Sequence, residues 1–267
     1  MQKFGTRRIV AVVNLKGGVG KSTTVLNVAG FAGKMGKRVL MVDADPQASI
    51  TRVALPEDAQ TMWLSEAFAK RVESLEGVRT ASRFENVDIV PSRLALEAVV
   101  QSAIQWERRE YVLAKMLKPH MTEYDLILID CGPRIDLAAT NVLTAAHYML
   151  VPAECSYLAL DGYDHIIALA ERLRHLDVNP QLKLLGLLPT RYRTGTSHAE
   201  QALLDIQSQA QRDKAPVSFD PIRLAVAAAD APAYSQSLAD YAPKSDVAND
   251  YRKATQQILT FLEDTNE

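Results

Sequence analysis

Ile9-Val10-Ala11-Val12-Val13-Asn14-Leu15-Lys16-Gly17-Gly18-Val19-Gly20-Lys21-Ser22-Thr23-Thr24 decides the fold. A short β-branched run leads into a glycine turn, and Val25 to Met35 then carries apolar residues at helical spacing. Strand, glycine loop and helix in that order are the context a phosphate-binding loop requires. Glycines let the backbone curl closely, so the N–H groups of Gly17, Gly18, Val19, Gly20 and Lys21 can converge on phosphate oxygens. The next helix adds unsatisfied N–H groups and a positive dipole end. Lys21 is placed to reach β- and γ-phosphates, the Ser22 hydroxyl to coordinate Mg²⁺, and Thr23 completes the loop.

The loop departs from the common pattern, which opens with glycine, leaves four free positions and ends in Gly-Lys. Here Leu15 takes the opening position and Lys16 follows, so the loop holds two lysines. The second one is surplus to an ordinary cradle. This two-lysine loop resembles the deviant Walker A loop of the ParA/MinD ATPases, and most closely the small ParA/Soj-like partition proteins. The resemblance implies ATP as the nucleotide, a homodimer when ATP is bound, and a Lys16 that crosses the dimer interface to the partner's phosphates.

Lys37 to Asp43 reads as the next strand, followed by Asp43-Ala44-Asp45-Pro46-Gln47. Two carboxylates at a strand end suit magnesium or water handling. They also mimic the ribose-binding acid of a dinucleotide fold, but the loop lacks G-x-G-x-x-G. Either acid could instead cap the following segment. The family resemblance is specific here: it implies that Asp45 activates the attacking water and that Asp43 orders the magnesium shell. Tyr124 to Asp130 is a continuous apolar strand ending in an acid, as a Walker B strand does, and its carboxylate can hold a magnesium-bound water opposite Ser22. Cys131-Gly132-Pro133-Arg134 follows, where the family usually has two prolines and then a small residue.

Further strands are expected at Val87–Pro91, Tyr148–Pro152, Leu182–Thr190 and Pro216–Val217. Helices are expected from Ser92 or Leu94 past Ala98, and over Ile104–Leu117, Asp136–Ala146, Ala202–Ala210 and Tyr251–Leu262, with another following Gly162. Met62, Trp63, Leu64, Ala67 and Phe68 form an apolar stripe in the otherwise uninformative Leu55–Val78 region, and Arg108, Arg109 and Glu110 read as a wet helix face. Strands alternating with helices imply a doubly wound, mostly parallel α/β sheet with helices on both faces, in a single domain spanning 1–267. By resemblance, Pro189 and Thr190 lie in the adenine-side loop, and Asp230-Ala231-Pro232 packs near the base, making Asp230 and Pro232 binding residues.

The chain has 267 residues, 48% of them apolar, and a net charge of −2, so any contact with nucleic acid has to come from a local patch. Arg191, Arg193, Arg212, Lys214 and Arg223 fall in the late region that resembles the family's DNA-facing side. Cys131 and Cys155 form no disulfide or metal spacing. They do not match the ligand positions of the nitrogenase iron protein, which shares the fold, and read as semi-buried small residues. No apolar run reaches 18 residues, and Lys3, Arg7 and Arg8 precede too short a run for a signal peptide. Met1 to Arg8 leaves no room for a separate DNA-reading domain, and the acidic end Glu263 to Glu267 is unlike a basic membrane-binding tail. His198 has no ligand set and is expected at the surface.

These readings make the chain a cytoplasmic, nucleoid-associated, Mg²⁺-dependent ATPase. The ATP dimer is expected to bind double-stranded DNA without sequence preference and to segregate DNA with a ParB-like partner. Two alternatives are positioning of a protein cargo, such as a chemoreceptor cluster or microcompartment, through an adaptor, and metabolic chemistry on a small molecule.

Overall fold

A computed structural model describes residues 8–265. The expectations for the first residues and for Asn266 and Glu267 lie outside them. The chain runs β1 (Ile9–Val12), α1 (Lys21–Lys34), β2 (Val39–Ala44), α2 (Ser49–Ala54), α3 (Leu64–Lys70), β3 (Thr80–Ala81), β4 (Val87–Val90), α4 (Ala95–Ser102) and α5 (Val112–Leu117). It continues through β5 (Leu126–Cys131), α6 (Leu137–Ala145), β6 (Tyr148–Glu154), α7 (Tyr163–His175), β7 (Lys183–Thr190) and α8 (Ser197–Arg212), and closes with α9 (Val226–Asp230), α10 (Leu238–Tyr241) and α11 (Asp246–Asp264). The seven strands form one sheet in the order β3-β4-β2-β5-β1-β6-β7, parallel except for the short edge strand β3.

Strand periodicity divides the core. Ile9, Ala11, Leu40, Val42, Ile127 and Ile129 face one helical layer, while Val10, Val12, Val39, Met41, Leu126 and Leu128 face the other. Both faces are covered, so the strands read as continuous apolar runs rather than as alternating ones. Helix α1 lies close to its neighbours: a Cβ on Gly33 would stand 2.1 Å from the Glu85 carbonyl oxygen, and one on Gly30 would stand 2.4 Å from Ser237 Oγ.

Three expectations are corrected. Ile104–Leu117 is not one helix: short 3-10 turns at Ala103–Gln105 and Arg109–Tyr111 precede α5. Arg108 sits at φ 53°, which breaks the helix. Asn141 of α6 holds the irregular segment by donating to the Arg109 carbonyl at 2.8 Å and accepting from the Leu113 N–H at 3.1 Å. Pro216–Val217 forms no strand; Pro216 has no N–H to extend a ladder, leaving the Val217 N–H bond to the Leu185 carbonyl. Within the stripe near residue 62, helix α3 starts only at Leu64. Several helices begin earlier than expected: Ser197 opens α8 and Asp246 opens α11, the latter capped by the Ser245 hydroxyl on the Ala248 N–H.

Candidate functional site

The phosphate loop leaves β1 at the centre of the sheet, between β5 and β6. It faces the carboxyl ends of the strands, where ligands of open α/β sheets bind. Gly18 at φ 78° and Gly20 at φ 90° supply the left-handed turns that aim the loop amides inward. Asn14 pins the loop from behind: its side chain donates to the Pro152 carbonyl at 2.8 Å and accepts from the Lys16 N–H at 2.9 Å. On the far side, the Thr190 hydroxyl donates to the Val19 carbonyl at 2.8 Å.

A cavity of about 480 Å³ opens here. Gly17, Gly18, Gly20, Lys21, Ser22 and Thr23 form its phosphate end, with Asp45, Gln47 and Pro133 beside them. Thr190, Ile222, Leu224, Ala225, Ala228 and Tyr251 line the rest. Polar at one end and apolar at the other, it matches a nucleotide's phosphates and base. Lys21 is buried, and its ammonium donates to the Lys16 carbonyl at 3.1 Å. Burial lowers its pKa, against the opposing pull of Asp130, Cys131 and Asp45.

The three acids play different parts. Asp130 is fully buried at the end of β5, paired in register with Asp43 on β2. Neither of its carboxylate oxygens has a well-formed hydrogen bond. Burial raises its pKa well above the carboxylate range, repulsion from Asp43 adds to this, and the neighbouring Ser22 hydroxyl works against it. An orphaned buried carboxylate beside Ser22 is the donor a hydrated divalent cation lacks. Asp130 and Ser22 are therefore the residues that would hold Mg²⁺. No cluster of three acids, histidines or cysteines suited to a metal occurs among the described residues.

Asp43, expected in the magnesium shell, is already satisfied. One oxygen accepts from the Thr51 N–H at 2.9 Å and the Thr51 hydroxyl at 2.7 Å, and the other from the Asp45 N–H at 3.2 Å. The Ser92 N–H in turn donates to Thr51 Oγ1 at 2.9 Å. Burial pushes the Asp43 pKa up to about 7 despite those bonds. Asp43 thus ties the segment carrying Asp45 to α2 and to the exit of β4. Asp45 lines the cavity, one oxygen accepting from the Gln47 N–H at 2.9 Å. Gly132 lies under it: a Cβ there would approach Asp45 Oδ1 to 3.3 Å. The glycine that departs from the family pattern thus leaves room for this carboxylate.

Lys16 turns away from the cavity. Its ammonium donates to Ser156 Oγ at 3.2 Å and the Leu158 carbonyl at 3.3 Å, and lies 3.8 Å from Glu154. Pro189, Asp230 and Pro232 do not line the cavity; Pro189 contributes by accepting the Ile222 N–H at 2.8 Å, which positions the apolar wall. That wall, Ile222 to Ala229, was legible only as an apolar-alanine run and carried no motif.

The five basic residues do not form one patch. Arg191 and Arg223 line the cavity mouth and are paired. Arg191 Nε is 3.1 Å from Glu154, while Arg223 makes bonds of 2.7 and 3.0 Å to Asp250 and lies 2.8 Å from Asp246. Arg193 is exposed beside them. Arg212 and Lys214 sit at the far end of α8, where Lys214 shares a cleft with Tyr148 and Lys183 at the amino ends of β6 and β7. Cys131 and Cys155 are buried free thiols whose pKa burial pushes up, Cys155 to about 12, and His198 is exposed. No helix among the described residues is long and apolar enough to cross a membrane.

Comparison with known proteins adds sequence kinship. A family model described as AAA domain matches residues 7–184. The chain is 31% identical over 259 residues to the chromosome-partitioning ATPase Soj of Thermus thermophilus, covering 96% of this chain and 97% of that protein. Among solved structures, cobyrinic acid a,c-diamide synthase from Mycobacterium smegmatis, with a bound ATP analogue and magnesium, superposes with a TM-score of 0.81 at 30% identity over 97% of each chain. Apo McdA from Cyanothece gives 0.82 at 20% identity over 95% of this chain and 99% of that one, a likeness of fold.

Proposed function

Since the chain belongs to the ParA/MinD family of deviant Walker A ATPases, we propose that it is an ATP-gated homodimer that positions a macromolecular cargo. Magnesium and ATP supply the switch, and hydrolysis resets it. When bound, Mg²⁺ would supply charge neutralisation at the phosphates. Ser22 and Asp130 are the residues that hold it, Lys21 meets the β- and γ-phosphates, and Asp45 orients the attacking water. Ile222, Leu224 and Ala225 give the base an apolar wall.

The observation that carries the dimer is the seating of Lys16. A lysine whose ammonium is engaged on the outer side of its own loop adds nothing to that loop's cradle. It can serve a second protomer once it gives up those contacts. The cargo is DNA, recruited through a ParB-like partner, or a protein recruited through an adaptor, with non-specific DNA as the track. Exposed Arg193 and the paired Arg191 and Arg223 stand on the face that would meet phosphates. A dimer doubles such weak contacts.

The test is titration of random duplex DNA with the Asp45→Ala protein, in ATP and in ADP, at two salt concentrations. ATP-dependent, salt-sensitive binding is expected. No binding at low salt would refute the DNA track. A second reading is favoured by the likeness to the diamide synthase: ATP used to activate a carboxylate on a small molecule. It predicts turnover that depends on a carboxylic acid and an amine donor and is indifferent to DNA.

A further inference from the structure

Lys16 is not a loose surface side chain. An ammonium has three donors and no acceptor capacity, and here a hydroxyl, a carbonyl and a carboxylate surround it, all from the segment Glu154 to Leu158 at the end of β6 and just past it. The Lys16 and Glu154 side chains are only 24% and 26% exposed. Glu154 does more than meet Lys16: its other oxygen takes Arg191 Nε at 3.1 Å, and Arg191 in turn reaches the Gly18 carbonyl at 3.5 Å. One carboxylate therefore engages two cations, one at the start of the phosphate loop and one at the cavity mouth.

We infer that Glu154, with Ser156, is an inhibitory latch that holds Lys16 against its own protomer and sets the ATP concentration at which two protomers join. The inference rests on the dimer reading, in which Lys16 serves the other subunit. To do so the ammonium has to exchange every contact it now makes. The exchange opposes dimerisation by whatever those contacts contribute in the free protomer. The latch also has a built-in release. Tyr157 is 91% exposed and Leu158 53% exposed, and they sit on the same short segment. A second copy of this chain that covers those two side chains remodels the backbone carbonyl that holds Lys16. Docking and release are then one event, and the latch discourages any dimer that lacks bound nucleotide to receive the freed ammonium.

The experiment follows dimerisation by light scattering as the slowly hydrolysed analogue ATPγS is titrated with Mg²⁺ into full-length protein. ADP affinity is measured alongside to verify the fold of each variant. Glu154→Gln keeps the shape and removes the charge. Its dimerisation midpoint is expected to fall about fivefold, the scale of one partly exposed ion pair. Ser156→Ala, which removes a hydrogen bond and leaves the charge, is expected to shift the midpoint the same way by a smaller factor, and it serves as the probe if the first variant fails to bind ADP. A midpoint that is unchanged or raised overturns the latch. Lys16→Ala separates the two levels of inference. If it dimerises with the wild-type midpoint, the dimer reading itself fails; if it abolishes dimerisation while Glu154→Gln changes nothing, only the latch fails.

Discussion

Replacing Asp130 with asparagine should make the nucleotide-free protein more stable and the magnesium-dependent complex weaker. Asp130 is fully buried, and neither of its oxygens has a well-formed hydrogen bond, the Ser22 hydroxyl being its one polar neighbour that favours the charged form besides Lys21. Desolvation is the largest influence on its carboxyl group, repulsion from Asp43 comes next, and attraction to Lys21 offsets only part. Asparagine keeps the shape and removes the repulsion with Asp43 and Asp45. A buried unsatisfied group costs about 1–3 kcal/mol. For a chain of this size each kcal/mol moves the melting temperature by about 2–4 °C, so an increase of about 2–12 °C is expected at neutral pH without nucleotide. The assay is thermal unfolding of wild type and Asp130→Asn, alone, with ATP and EDTA, and with ATP and Mg²⁺. Ligands that bind only the folded state raise stability by mass action. Wild type should gain an increment from Mg²⁺ beyond that from ATP alone, and the variant should lose most of it. A less stable apo variant, or one that keeps the full Mg²⁺ increment, would refute the idea that this carboxylate is held unpaired for the metal.

Other substitutions separate the remaining parts of the site. Gly132→Ala places a Cβ 3.3 Å from Asp45 Oδ1, so hydrolysis should slow by roughly tenfold with nucleotide affinity unchanged, as for a displaced water-orienting group; single-turnover and binding measurements check this. Lys21→Ala should weaken ATP–Mg²⁺ binding by a hundredfold or more (~3 kcal/mol, the scale of a lost charge-assisted contact), read by nucleotide titration. Asp43 has a folded pKa raised to about 7. Its protonated form is therefore favoured by folding, and the stability it confers is complete below the unfolded carboxylate value near 4 and is lost as pH rises through about 7. Asp43→Asn should flatten the decline in apo stability between pH 4 and 7, measured by denaturant unfolding across that range. Gly33→Ala drives a Cβ into the Glu85 carbonyl at 2.1 Å and should leave little soluble protein, whereas the neighbouring exposed Lys34→Ala should not.

The phosphate end of the site was legible because its chemistry is local. Backbone turns, a lysine and a hydroxyl must follow one another within a few residues, and Gly17 to Thr23 do. Asp130 stood out for a related reason: it closes the apolar run of β5. What escaped was set by partners distant in sequence. Asp43 reads as a second magnesium acid until Thr51, eight residues on, is seen to occupy one of its oxygens. Asn14 carries no motif in the sequence, and only its bonds to Pro152 and Lys16 make it the anchor of the loop. The Ile104–Leu117 segment has helical composition, and its break at Arg108 is fixed by Asn141 on another helix.

The basic residues show the same limit and alter what DNA binding requires of this chain. Counted along the sequence, five cations between 191 and 223 suggest a patch. In space, Arg223 makes a two-bond fork with Asp250, a geometry that holds guanidinium firmly, and Arg191 shares Glu154 with Lys16. For either to meet a phosphate it has to exchange a carboxylate for it, an exchange with little net electrostatic gain in water. A single protomer therefore has little surplus positive charge on this face beyond Arg193. Avidity, not the affinity of one patch, then has to supply the binding, so DNA contact on this face should follow dimerisation and vanish with it. Charge reversal at Arg193 should accordingly weaken DNA binding by the ATP dimer more than reversal at Arg223, whose Asp250 partner already cancels it, and leave the dimer intact; a larger loss at Arg223, in filter-binding titrations of both variants, would contradict this ordering.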